Sequence, residues 1–164
     1  MSKHVQLLIT GLVVVLVVLS LVWTYRFLGT PAEQRALRMD LQRVHRLDEL
    51  TNSIARYYRS QDKPKLPESL EQVRADPSAN SFYLGNIYED PLTGKLFEYR
   101  RLSDNEYELC AEFQTDFREE EKKGRITSDL AAKWMHPKGR ACFRFRVSPE
   151  GDTSRIEPTR TPGD

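Results

Sequence analysis

The side chains of this chain that could do chemistry are few. Cys110 and Cys142 are its only cysteines. They are too far apart, and too poorly supplied with histidines at ligand spacing, for a zinc framework. A nucleophilic cysteine needs a reduced thiol beside a basic group. Arg140 and Arg144 flank Cys142, but both cysteines lie in alternating segments, where a bridge explains them better. The three histidines are His4, His45 and His136. His45 has Asp48 and Glu49 three and four residues on, which reads as a solvated helix face rather than a metal site. His136, within Trp134-Met135-His136-Pro137, reads as packing or loop chemistry. The patterns H-E-x-x-H, G-x-S-x-G, G-x-x-x-x-G-K and G-x-G-x-x-G are all missing from the sequence. The chain is therefore expected not to be an enzyme, with no catalytic residue, metal ligand or cofactor assigned. Its formal net charge of +1 leaves no electrostatic footprint for nucleic acid.

The cysteines are best understood through the strands that carry them. EYELCAEF at 106–113 and ACFRFRV at 141–147 both alternate with a period of two. In the first, Tyr107, Leu109, Ala111 and Phe113 share one face, and Glu106, Glu108, Cys110 and Glu112 the other. In the second, Ala141, Phe143, Phe145 and Val147 oppose Arg140, Cys142, Arg144 and Arg146. Setting Cys110 opposite Cys142 in an antiparallel pair brings Glu108 to Arg144, Glu106 to Arg146, Glu112 to Arg140, Leu109 to Phe143 and Tyr107 to Phe145. Each such pair contributes on the order of 0.2 to 1 kcal/mol. A slip of one residue would turn the arginines into the core. The pattern predicts a Cys110–Cys142 disulfide, which in turn argues for an oxidising compartment.

The elements that must position these strands follow from hydropathy. Val5 to Tyr25 is a run without charge, long enough to cross a hydrocarbon core of roughly 30 Å as one helix. Trp23 and Tyr25 stand where an interfacial aromatic belt would sit, before Arg26. A cleaved signal peptide is the competing reading. Its apolar region would be about 7 to 15 residues and end in a small-residue cleavage site, and LVWTYRFLG offers none. The run is therefore read as a retained anchor.

Beyond it, Thr30 as N-cap, Pro31 at the first helical position and Glu33 closing a capping box predict a helix from Pro31 to about Ser60. Leu37, Leu41, Val44, Leu47, Leu50, Ile54 and Tyr57 form its apolar band. Lys63-Pro64-Lys65-Leu66-Pro67 stops it. A short helix over Glu68–Arg74 is followed by loop chemistry at Asp76–Asn80 and a turn at Asp90-Pro91-Leu92-Thr93-Gly94. A further strand is expected at Leu96–Leu102. Gln114–Arg140, with its charge run Arg118–Lys123, reads as a solvated loop with one helical turn around Asp129–Trp134. The domain boundaries that result are an anchor over residues 1–28, an α+β domain over 30–147, and a disordered tail over 148–164 rich in Pro, Thr, Ser and Gly.

The order of membrane span, amphipathic helix, turn and antiparallel meander resembles type IV pilins and the pseudopilins of type II secretion. Asp90-Pro91-Leu92-Thr93-Gly94-Lys95-Leu96-Phe97-Glu98-Tyr99 is similar to the D-P-x-x-G-x-x-x-x-Y stretch leading into the sheet of the major pseudopilin. Leu66-Pro67-Glu68-Ser69-Leu70 resembles its segment after the long helix. The resemblance covers roughly Leu37 to Val147. It implies a pilin-like fold, with a long helix packed on a small antiparallel sheet, and residence outside the cytoplasm. It does not extend to the processing site: Gly11 is followed by Leu12, and Leu16 stands where the family has glutamate, so filament assembly is not implied. Nor does it reach calcium ligands residue by residue, although Asp90, Asp104, Glu106 and Glu119–Glu121 supply carboxylates.

Orientation is contested within the sequence. Arg26, Arg35 and Arg38 outweigh Lys3 across the span, which by the positive-inside rule alone places the domain in the cytoplasm. The disulfide and the resemblance both place it outside, and the extracytoplasmic reading is adopted. The expected function is that of a single-pass membrane protein with a role in envelope structure, secretion or surface interaction. Its partners would be the bilayer and proteins of the envelope. The alternative is a tethered ligand- or partner-binding or sensory module acting through Gln114–Arg140.

Overall fold

The structure, a computed structural model, describes residues 3–28, 30–79, 86–126, 129, 133–148 and 150–158, with the side chains of 25–28 and 157–158 outside that set. The chain is α+β and divides into two compact units, residues 1–35 and 36–164.

The first unit holds helix α1, Lys3–Leu28. Its large apolar side chains are exposed all round, from 42% for Val5 to 74% for Leu8. Thr10, Ser20 and Thr24 return their hydroxyl protons to carbonyls of the preceding turn, which removes their polarity from the helix surface. Helix α2, Pro31–Ser60, starts at the expected capping box. The Thr30 N–H donates to Glu33 Oε2 at 2.8 Å, and the Glu33 N–H donates to Thr30 Oγ1 at 3.2 Å.

In the second unit, the buried face of α2 and the inner face of a four-stranded sheet share one core. Val44, Leu47, Leu50 and Ile54 are fully buried. The band departs from expectation at two points: Leu41 is exposed, and Tyr58 rather than Tyr57 takes the buried position at the helix end. A short helix α3, Leu70–Ala75, places Leu70 and Val73 in the same core. The sheet has the order β1-β2-β3-β4, all antiparallel, with β1 Glu98–Arg101, β2 Glu106–Phe113, β3 Gly139–Val147 and β4 Thr153–Pro158. Trp134 lies against Phe143 and Phe145, with ring centroids at 4.8 and 5.1 Å, and closes one side of the core.

Three expectations are corrected. The strand expected over Leu96–Leu102 narrows to Glu98–Arg101, because Leu96 bridges instead to Glu89 across the Asp90 turn. The charge run Arg118–Lys123 is not a plain solvated loop. Phe117–Lys122 forms helix α4, because Phe117 is fully buried as an anchor and the Asp116 carboxylate accepts the Arg118 and Glu119 N–H groups as N-cap. The tail 148–164 is not wholly unstructured either. Gly151, at φ +86°, turns the chain back so that Thr153–Pro158 adds to β3 as β4. The helical turn expected at Asp129–Trp134 falls largely outside the described residues.

Candidate functional site

The strand pair β2/β3 carries the predicted chemistry. Its register is Cys110 opposite Cys142, Glu108 opposite Arg144, Glu106 opposite Arg146, Glu112 opposite Arg140, Leu109 opposite Phe143 and Tyr107 opposite Phe145. Cys110 and Cys142 are joined as a disulfide. The surrounding charges do not all close straight across. Arg146 reaches Glu106 at 2.5 Å, but Arg140 turns diagonally to Glu98 of β1 at 2.7 Å, and Glu108 takes Arg100 of β1 at 2.8 Å. The outward face is thus a charge lattice spanning three strands. Glu108, Cys110 and Cys142 place potential ligand atoms within 4.8 Å of one another, two of them occupied by the disulfide.

A second constellation lies where charged helix positions would be expected to meet water. Asp40 and Arg43, one turn apart on α2, are fully buried or nearly so, with Arg43 2% exposed. Arg43 donates to Asp40 Oδ1 at 2.7 Å and to Asp90 Oδ2 at 2.5 Å. Asp40 also accepts the N–H groups of Gln114 and Thr115 and the Thr115 hydroxyl at 2.6 Å. Asp90 accepts the N–H groups of Leu92 and Thr93, both at 2.9 Å, while Gly94 closes the turn onto the Asp90 carbonyl. Burial pushes the Asp90 carboxyl up, but the Arg43 hydrogen bond and the two amides outweigh it and leave the group below its usual range. A guanidinium between two carboxylates, all saturated by hydrogen bonds, is built to hold segments together and offers no free acid or base.

His136 is 1% exposed, with its ring 3.6 Å from that of Phe113 and 4.0 Å from that of Phe117. Its Nδ1 lies 3.0 Å from the Pro137 carbonyl oxygen. Burial lowers its pKa from 6.5 to about 4, only partly offset by the Pro137 carbonyl and the charges of Asp40 and Asp116. The ring is neutral at physiological pH and packed, as its sequence context suggests. His45 is exposed on α2, and Asp48 accepts from Lys133 Nζ at 2.8 Å and from the Trp134 indole at 3.1 Å. The carboxylates considered for calcium also have cationic partners: Asp90 has Arg43, Asp104 has Arg101, Glu106 has Arg146, Glu119 has Lys122, and Glu120 has Lys123 and Arg125.

No family model, curated protein or solved structure matches this chain. Among the described residues, one helix is long and apolar enough to cross a membrane, Lys3–Thr24. Helices of that length and composition near an N-terminus occur both in anchors and in signal sequences. Helical periodicity alone conceals the Asp40–Arg43–Asp90 group, because it places charges one turn apart on a solvent face. Arg43 adjoins Val44 just as Arg46 adjoins Leu47 and Glu49 adjoins Leu50, so nothing local in the sequence marks it as buried.

Proposed function

We propose that this chain is a single-pass, membrane-anchored, non-enzymatic protein whose pilin-like α+β domain works outside the cytoplasm, in envelope structure, secretion or surface interaction. The observation that carries the reading is α1. Val5 to Trp23 expose large apolar side chains on every face of a helix long enough to span a bilayer, an arrangement costly in water and favourable in hydrocarbon. The disulfide supports the orientation, since such bonds persist in oxidising compartments. The long α2 sharing its core with an antiparallel sheet supports the pilin-like comparison. The partners are the bilayer and proteins of the envelope. Nucleic acid and filament assembly have no place in the reading.

A topology assay on the full chain tests it. Expected are retention in the membrane fraction after alkaline carbonate washing and a C-terminal reporter active only outside the cytoplasm. Release by carbonate would defeat the anchor, and a reporter active only inside would defeat the orientation. The second reading, a tethered partner-binding module, draws on α4, whose exposed Arg118, Glu119, Glu121 and Lys122 are held in fixed array by buried Phe117. Capture of a specific partner that disappears when Gln114–Arg140 is shortened would favour it. Co-purification with secretion components that survives the shortening would favour the first.

A further inference from the structure

We infer that, when the Cys110–Cys142 bond is reduced, Glu108, Cys110 and Cys142 form a binding site for a thiophilic divalent cation of the zinc class. Glu108 and Cys110 stand two residues apart on the outward face of β2, and Cys142 lies directly across on β3. Their ligand atoms fall within 4.8 Å of one another, with Glu108 Oε2 3.9 Å from Cys110 Sγ. A tetrahedral zinc ion, with Zn–S about 2.3 Å and Zn–O about 2.0 to 2.2 Å, separates its donor atoms by roughly 3.5 to 3.8 Å. The carboxylate and one sulfur already stand close to that separation. Once the covalent bond is gone, side-chain rotation brings the second sulfur to it without moving either strand.

The burial fits such a site. Glu108 and Cys110 are each 4% exposed, whereas Cys142 is more open, leaving an approach for the ion and for a water in the fourth position. Glu108 is the buried carboxylate of this face, while Glu98 and Glu112 are exposed. Arg100 holds the Glu108 carboxylate at 2.8 Å, and cation binding exchanges that ion pair for a metal–oxygen bond. Two thiolates, one carboxylate and a divalent ion carry a net charge of minus one, which the neighbouring Arg100, Arg140 and Arg144 accommodate.

The chemistry balances with a dithiol reductant. Two electrons and two protons pass to the Cys110–Cys142 bond, the reductant becomes a disulfide, and two thiols result. Cation binding then releases both protons. Under the extracytoplasmic reading the covalent state is the resting one, and the metal-bound state arises only where a dithiol reductant reaches the bond; the binding test below uses reduced protein and so does not depend on the orientation.

The test uses the full chain in detergent micelles, reduced by a phosphine without oxygen and titrated with Co²⁺ alone. Expected is one equivalent bound, with thiolate-to-cobalt charge-transfer absorption that Zn²⁺ displaces. The oxidised protein and Cys142→Ser should lack the band. Glu108→Gln, which keeps the side-chain shape, should weaken binding at least about tenfold, the lower end of what loss of even an outer-shell partner costs. The inference is overturned if reduced protein with two titratable thiols and native circular dichroism gives no band, or if Glu108→Gln binds as tightly as the parent. Loss of the native spectrum on reduction also overturns it, because the site exists only while β2 and β3 stay paired.

Discussion

The burial of His136 should make the folded protein sensitive to mild acid. In the unfolded chain its imidazole takes up a proton near pH 6.5, whereas the folded site, sandwiched between Phe113 and Phe117, refuses it until about pH 4. Between those values the unfolded state binds more protons, so stability rises with pH and is lost on acidification. At about 1.4 kcal/mol per pKa unit the whole window is worth about 3.5 kcal/mol, of which about 2.5 kcal/mol falls between pH 7.5 and pH 4.5. The Asp90 carboxyl does not confuse the measurement. Its pKa is lowered below 3.8, so its contribution is present throughout this window and fades only at more acid pH. The assay is guanidinium denaturation of the full chain in neutral detergent, followed by Trp134 fluorescence in a Trp23→Phe background. The parent should lose about 2.5 kcal/mol over that range, and His136→Phe, which has no proton to accept, should be nearly flat. If His136→Phe loses as much stability as the parent, the burial argument is refuted.

Further outcomes follow from other contacts. Arg43→Met, which strands Asp40 and Asp90 beneath the surface, should cost about 3 to 5 kcal/mol by chemical denaturation, and Arg43→Lys should recover only part because it cannot make the forked contact. The Cys110→Ser/Cys142→Ser pair removes a cross-link of sequence separation 32. It should lower stability by roughly 3 to 4 kcal/mol on the chain-entropy model and abolish the effect of reductant on the thermal midpoint. Gly151→Ala forces a side chain into φ +86° and against Arg59 Cδ, 2.2 Å from the new Cβ. A loss of about 1 to 2 kcal/mol is expected, and adding Arg59→Ala should relieve the contact but not the backbone strain.

How far the sequence could be read depended on whether each residue's neighbours in sequence are also its neighbours in space. The β2/β3 register was legible because Glu106, Glu108 and Glu112 alternate with apolar residues, and Arg140, Arg144 and Arg146 do the same. One alignment satisfies both patterns and also pairs the cysteines. The α2 start was legible because its capping box is local. β4 was not, since Thr153–Pro158 lies in a segment of turn-forming composition and becomes a strand only through the ladder that β3 offers. α4 was hidden by its charges, its one buried apolar anchor Phe117 standing at the very start of the run. Asp40 and Arg43 were hidden most deeply, because their partners Asp90, Gln114 and Thr115 are brought to them only by the tertiary fold.

The Arg43 guanidinium has a consequence for how the domain breathes. Loop amides usually exchange with solvent through small local openings that leave the core intact. Here the amides of Leu92, Thr93, Gln114 and Thr115 all donate to two carboxylates clasped by one buried cation. The turn and the segment after β2 cannot fray one at a time without stranding charge next to α2. They should open as a unit with α2, and their amides should then share a single, slow rate of deuterium uptake.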